Sequence, residues 1–202
     1  MRMKEDHMLN GQLKPGYNIQ VGTENNFVIG YDVFPNPTDT RTLIPHLENV
    51  MKRLGCKFKT VIADAGYGSE ENYDYLEEKE ITGAIKYSTY EKETKRSFKK
   101  KAFNPENWKY DAEQKEYTCP CGNPVPYKRT VTKKNHSGYE QTYDVYQCEN
   151  CEGCPFRESC TKSEYGRMIQ RNENWISQKT KVKELLATDE YKALMKKRST
   201  EC

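Results

Sequence analysis

No apolar run in this sequence approaches the roughly 18 residues needed to span a bilayer. The first residues, Met1-Arg-Met-Lys-Glu-Asp-His7, are charged where a secretory leader needs an apolar stretch. Both absences point to a cytoplasmic protein with no membrane partner. A dominant charge is missing too: 33 basic against 30 acidic residues leave a net charge of +3, too small to define a partner by total charge. Apolar residues are modest at 35%, beside 31% charged, so the core is small for 202 residues. Fifteen tyrosines supply much of what can be buried, each hiding a ring while its hydroxyl stays wet. The length suits one full domain and a smaller appendage.

The first half reads as α/β. Residues 1–13 show little periodicity and read as a lead-in, punctuated by Pro15-Gly16. Tyr17 to Thr23 alternates, with Tyr17, Ile19 and Val21 on one face, and Phe27 to Phe34 follows a turn at Glu24-Asn25-Asn26. The pair predicts a hairpin. A helix capped by Thr38 or Asp39 runs to about Leu54, with Leu43, Leu47, Val50, Met51 and Leu54 as its buried stripe and Gly55 as its stop. Pro45 inside this span predicts a kink or a later start.

Thr60-Val-Ile-Ala63 then reads as a buried strand ending on Asp64. Ala65-Gly-Tyr-Gly68 reads as a turn, with Ser69 capping a helix from Glu70 to about Lys79, and Thr82 to Lys86 as a last strand. A carboxylate framed by glycines beyond a strand's carboxyl end is a candidate metal ligand, though a lone Asp there is more often a turn or capping residue. Taken together the predicted fold is α/β, a partial mixed sheet with flanking helices over residues 1–88.

Residues 89–117 read as a basic linker, ending in a strand from Trp108 to Tyr117 with a turn at Asp111-Ala-Glu113. Between Lys86 and Lys101 stand seven basic and two acidic residues, interleaved with Tyr87, Tyr90 and Phe98. Lys95, Arg96, Lys99, Lys100 and Lys101 form one candidate DNA-contacting group and Lys128, Arg129, Lys133 and Lys134 a second, since cations mixed with aromatics suit phosphates and bases. A third basic stretch runs from Lys192 to Arg198.

Six of the eight cysteines lie between 119 and 160: Cys119, Cys121, Cys148, Cys151, Cys154 and Cys160. In a cytoplasmic chain such spacing favours metal over disulfides. Zinc takes four thiolate or imidazole ligands in a tetrahedron. Cys119 and Cys121 with Cys148 and Cys151 make one ligand set; Cys154 and Cys160 can replace either pair, and His136 is a further candidate. The first pair is CxC rather than the CxxC of a ribbon. A structural zinc would pin a small subdomain over residues 118–165, while Cys56 and Cys202 stand apart. From about Arg171 a polar helical segment, with Trp175, Val182, Leu185 and Leu186 as its apolar face, occupies the end of the chain.

Several of these stretches together resemble DDE-type transposases of bacterial insertion sequences. They are Met3-Lys-Glu-Asp-His-Met8, Lys14 to Gln20, Asn36-Pro-Thr-Asp-Thr-Arg-Thr-Leu43, Ala63-Asp-Ala-Gly-Tyr-Gly-Ser-Glu-Glu-Asn-Tyr73, Cys148 to Cys160, and Lys197-Arg-Ser-Thr-Glu201. The resemblance implies an RNase H-like core in which three carboxylates hold two Mg²⁺ (or Mn²⁺) ions for DNA strand cleavage and transfer, with DNA as partner; a homo-oligomer is a further candidate partner that the sequence does not specify.

It assigns Asp64 as the second carboxylate. The first has no counterpart, Asp6 and Asp32 being out of position, and Glu201 stands near the third, two residues short of the glutamate usually assigned. Residues 118–165 then form an insertion between second and third carboxylates, and 166–202 a helical segment ending before the glutamate motif. The expectation is a transposase truncated at both ends and inactive alone. The alternative is a zinc-ribbon-like module that binds DNA or protein without catalysis. Asp64 separates the two, because only the transposase reading needs other acids beside it.

Overall fold

The computed structural model of the chain describes the backbone at residues 2–5, 8, 11–36 and 38–201, and the side chains of these apart from 2–5, 15 and 197–201. The chain forms two compact units: Met1–Ser88 with Gln178–Cys202, and Thr89–Ser177.

In the first unit, β1 (Arg2–Glu5) pairs antiparallel with β2 (Leu13–Gly16), so the segment read as an aperiodic lead-in is a strand pair. Its lysines, proline and glycine give no period-2 signal to read. The expected hairpin follows as β3 (Asn18–Glu24) and β4 (Phe27–Phe34), with Ile19 opposite Val33 and Val21 opposite Tyr31. Asn25 and Asn26 turn it with φ of 50° and 66°, left-handed backbone that asparagine tolerates.

The buried face of this hairpin is the small and polar one. Gly22 lies opposite Gly30, and a Cβ on Gly30 would sit 2.6 Å from Val50 Cγ2. The glycines thus admit the next helix, α1 (Leu43–Leu54), against β4. A 3-10 turn over Asp39–Arg41 precedes α1, so the later start that Pro45 suggested is the one adopted. The helix buries Leu43, His46, Leu47 and Val50 and ends on left-handed Gly55 (φ 65°). Leu54, expected in the stripe, is exposed. Asp32 ties β4 to α1 by accepting from Asn49 Nδ2 at 3.2 Å and Arg53 Nη2 at 2.6 Å, with His46 Nδ1 at 2.7 Å.

A parallel crossover completes this part: β5 (Thr60–Gly68), α2 (Glu70–Glu78) and β6 (Thr82–Tyr87). Ser69 caps α2 as expected, its hydroxyl accepting from Asn72 N at 3.3 Å. Among the described residues β3–β4 and β5–β6 remain separate pairs rather than one mixed sheet, because no described strand bridges their edges.

The second unit opens with short helices α3 (Tyr90–Thr94) and α4 (Arg96–Lys99) and a 3-10 turn at Pro105–Asn107, where a linker was expected. Asn107 fixes them, its amide donating to the carbonyls of Phe98 and Lys101, both at 3.0 Å. Then come β7 (Lys109–Asp111), β8 (Glu116–Thr118), β9 (Pro124–Lys134), β10 (Glu140–Gln147), α5 (Arg157–Cys160) and β11 (Met168–Arg171). The strands form one antiparallel sheet in the order β7-β8-β9-β10-β11. Of this sheet the sequence signalled only one strand with a turn, which the fold resolves into β7 and β8; β9 reads Pro-Val-Pro-Tyr-Lys-Arg-Thr-Val-Thr-Lys-Lys, too polar and too rich in proline to signal a strand. Trp108, Tyr117, Val125, Tyr146, Cys148 and Ile169 form the core.

The terminal segment is two helices, α6 (Glu173–Ala187) and α7 (Asp189–Glu201). Within the first unit, α6 buries Gln178, Lys179, Val182 and Leu186, while Leu185 is half-buried. Gln178 Nε2 donates to Asp74 Oδ1 at 2.6 Å, and Lys181 pairs with Glu77 at 2.6 Å. α7 packs against β5 and β6.

Candidate functional site

Asp64 sits where the β5–β6 ladder breaks. Thr60 to Ala63 pair with Thr82 to Ile85, and pairing resumes only at Gly68 with Tyr87. The strand itself continues through Gly68, so Ala65 to Tyr67 are extended backbone lifted off the ladder, with Gly68 back on it, and not the expected turn. Neither Gly66 nor Gly68 has positive φ. They are needed for space: a Cβ on Gly68 would lie 2.4 Å from Lys86 O and 2.6 Å from Tyr87 Cα, and one on Gly66 would lie 2.8 Å from Asp39 Oδ2.

That approach brings a second acid to the site. Asp39, which the sequence suggested only as a cap, accepts from Asn18 Nδ2 at 2.7 Å and Gln20 Nε2 at 3.5 Å. The Tyr67 hydroxyl donates to Gln20 Oε1. Burial above all, then the charges of Asp39 and Asp64, push the Tyr67 hydroxyl up to about 12. Asp64 is exposed, with Oδ1 accepting the Ala65 N–H at 2.6 Å. Behind them, fully buried Asn72 donates to the carbonyls of Thr40 (3.0 Å) and Tyr67 (2.7 Å), while its Oδ1 has no hydrogen-bond partner among the described residues. The Asn36-Pro-Thr-Asp39 motif was the signal that pointed to Asp39, but only the fold shows it beside Asp64.

Two carboxylates act on Tyr67, and a third is not found with them. Among the described residues no three His, Cys, Asp or Glu side chains stand in a group that could hold a metal ion. Asp32 is held by Asn49, Arg53 and His46. Asp6 lies outside the described residues; Glu201 closes α7, but its side chain lies outside them. The described residues therefore do not fit a two-Mg²⁺ centre.

Both basic groups are exposed. Around α4, Lys95, Arg96, Lys99, Lys100 and Lys101 protrude from a segment held by Asn107 and by the Trp108 Nε1 bond to Ala102 O (2.6 Å). On β9, Lys134 is paired with Glu140 at 2.8 Å, Lys128 donates to Gln147, and Lys133 donates to Gln170 at 2.9 Å and lies over the Tyr143 ring. The α4 group is thus the less committed of the two, with Arg129 the β9 cation for which no such partner is seen among the described residues.

All six clustered cysteines line one pocket of the second unit, between the turn after β8, the end of β10, and α5. None is in a disulfide. Burial pushes the Cys148 thiol up to about 12 and raises that of Cys160, which the Arg167 guanidinium partly offsets. His136 is exposed and is not part of the pocket's lining; Cys56 is exposed elsewhere, and Cys202 lies outside the described residues.

Residues 118–202 match a family model described as a transposase DDE domain. Over that stretch the chain is similar to DDE-type transposases, the family its earlier motifs resemble. The matched part holds the six cysteines, the β9 basic group, α6 and α7, whereas Asp64 and Asp39 precede it. No curated protein and no solved structure matches the chain. No helix among the described residues is long and apolar enough to cross a membrane.

Proposed function

We propose that the chain works on DNA as part of a DDE-type transposase, whose activity is DNA strand cleavage and strand transfer in transposition. The family match over residues 118–202 carries this reading. The strand–helix–strand arrangement around Asp64 supports it, because the carboxyl end of a parallel strand is a common place for functional groups. Asp64 is then the second carboxylate of the family's site, Asp39 a neighbour that shapes its field, and Tyr67 and Gln20 the groups that hold Asp39 and the strand in place. Glu201 stands near the third. Because the family resemblance gives the first carboxylate no counterpart here, the chain by itself is proposed to bind DNA without cutting it.

The α4 group is the principal phosphate-binding surface, with Arg129 as a further cation. Fluorescence anisotropy with labelled duplex DNA across a salt series tests this. Binding should weaken steeply with salt, and replacing Lys99, Lys100 and Lys101 by alanine should reduce the log–log slope by about 0.9 for each phosphate no longer neutralised. A wild-type slope near zero would contradict the DNA reading.

A further inference from the structure

The cysteine pocket has features that neither the family match nor the acidic site requires. Its six thiols come from three places in the chain, brought together by the fold. They differ in setting. Cys148 is only 2% exposed and belongs to the apolar core, and Cys121 is exposed, whereas Cys119, Cys151, Cys154 and Cys160 are all half-buried. Cys160 feels the charges of Cys151, Cys119 and Cys154, and Cys121 is hydrogen-bonded to Cys154, so the sulfurs share one neighbourhood. The four half-buried ones are the set shielded from solvent without being locked in the core.

Hydrogen-bond donors and two guanidiniums stand around the sulfurs. The Arg167 backbone N–H donates to Cys151 Sγ at 3.4 Å. Arg167 Nη1 donates to Cys160 O at 2.9 Å and Arg157 Nη1 to Cys151 O at 3.3 Å, placing two guanidiniums against the loop. Arg167 Nε is buried with no acceptor among the described residues, an unpaired donor beside the sulfurs. Asn123, in the turn after β8, donates to Asn150 O at 3.0 Å and fixes one cysteine segment to the other. Gly166 (φ 85°) lies under them, where a Cβ would meet Cys148 O at 2.5 Å and Cys151 Sγ at 3.2 Å.

We propose that Cys119, Cys151, Cys154 and Cys160 bind one structural zinc ion as four thiolates, with Arg157 and Arg167 balancing the charge. Four thiolates with Zn²⁺ leave a net charge of −2, which two guanidiniums offset. The thiols line one pocket, but among the described residues no three of them stand in ligand geometry. Sulfurs drawn to about 2.3 Å from a shared ion close the tetrahedron, and the protons they carry are released on binding. Cys148 stays in the core and Cys121 at the rim. The site is a staple across the end of the second unit, which has a small core of its own. It is independent of Asp64.

The test uses the full chain purified without a metal-binding tag. Elemental analysis should give about one zinc per chain, and exchange into cobalt should give the intense thiolate-to-cobalt absorption of a tetrahedral four-sulfur site. Cys121→Ser should keep both signals, and Cys154→Ser should weaken zinc retention against a competing chelator by tenfold or more. Zinc at less than about a tenth of an equivalent, with no cobalt spectrum and all cysteines reacting freely in the native protein, would overturn the proposal. So would iron with acid-labile sulfide in place of zinc, or retention of the four-sulfur cobalt spectrum in Cys154→Ser.

Discussion

Single residues set the geometry around Asp64 through space more than through conformation. Gly68 must pass within van der Waals reach of β6 backbone atoms, which cannot yield as a flexible side chain can. Gly68→Ala is therefore expected to destabilise the first unit by about 1–3 kcal/mol, the usual cost of overpacking. The urea midpoint should fall accordingly, and an unchanged midpoint would mean that β6 is not held against this strand. Gly55→Ala meets no such obstruction and strains only a left-handed helix end, so its effect should be smaller. Asp32 tests the same logic among polar groups. Asp32→Ala leaves the buried imidazole of His46 without its acceptor, and a loss of about 1–3 kcal/mol is expected in the same measurement.

At the scale of elements, the β3–β4 hairpin shows an apolar face to solvent. Ile19, Val21, Tyr31 and Val33 are each more than half exposed, because the glycine-lined opposite face is the one that receives α1. Native protein should bind a hydrophobic dye, and Ile19→Lys with Val21→Lys should abolish most of that signal without lowering the unfolding midpoint. Equal dye binding by the double variant would place the apolar surface elsewhere.

Elements with a strong period were legible in the sequence: the hairpin, α1, the capped α2 and β6. What was not legible depended on partners distant in sequence. The polar β9 is a strand because β8 and β10 flank it, and Asp39 joins Asp64 because Gly66 leaves room. The pairing of α2 with α6 is of the same kind. Hydrogen bonds from Lys181 and then Gln178 hold the Glu77 carboxyl below its usual value. Its contribution is complete above the ordinary glutamate pKa of about 4.3 and is lost as pH falls through the lower folded value. Glu77→Gln should flatten the acid limb of stability below about pH 4.3 by a few tenths of a kcal/mol, the scale of an exposed pair. An unaltered acid limb would show that the pair is not held in solution.

Across the whole molecule, chemistry and binding surfaces are divided between the two units. The first carries Asp64 and Asp39 at a broken parallel ladder; the second carries the α4 cations and the six-cysteine pocket. The family match falls on the second unit and the terminal helices, so it supports the transposase relationship without reaching the acids. The central proposal is that this chain works on DNA as part of a DDE-type transposase and does not cut by itself. The direct measurement is a strand-cleavage assay with duplex DNA bearing the insertion sequence's ends, purified chain, and Mg²⁺ or Mn²⁺. The account predicts salt-sensitive binding and intact strands. Metal-dependent cutting that Asp64→Ala abolishes would contradict it.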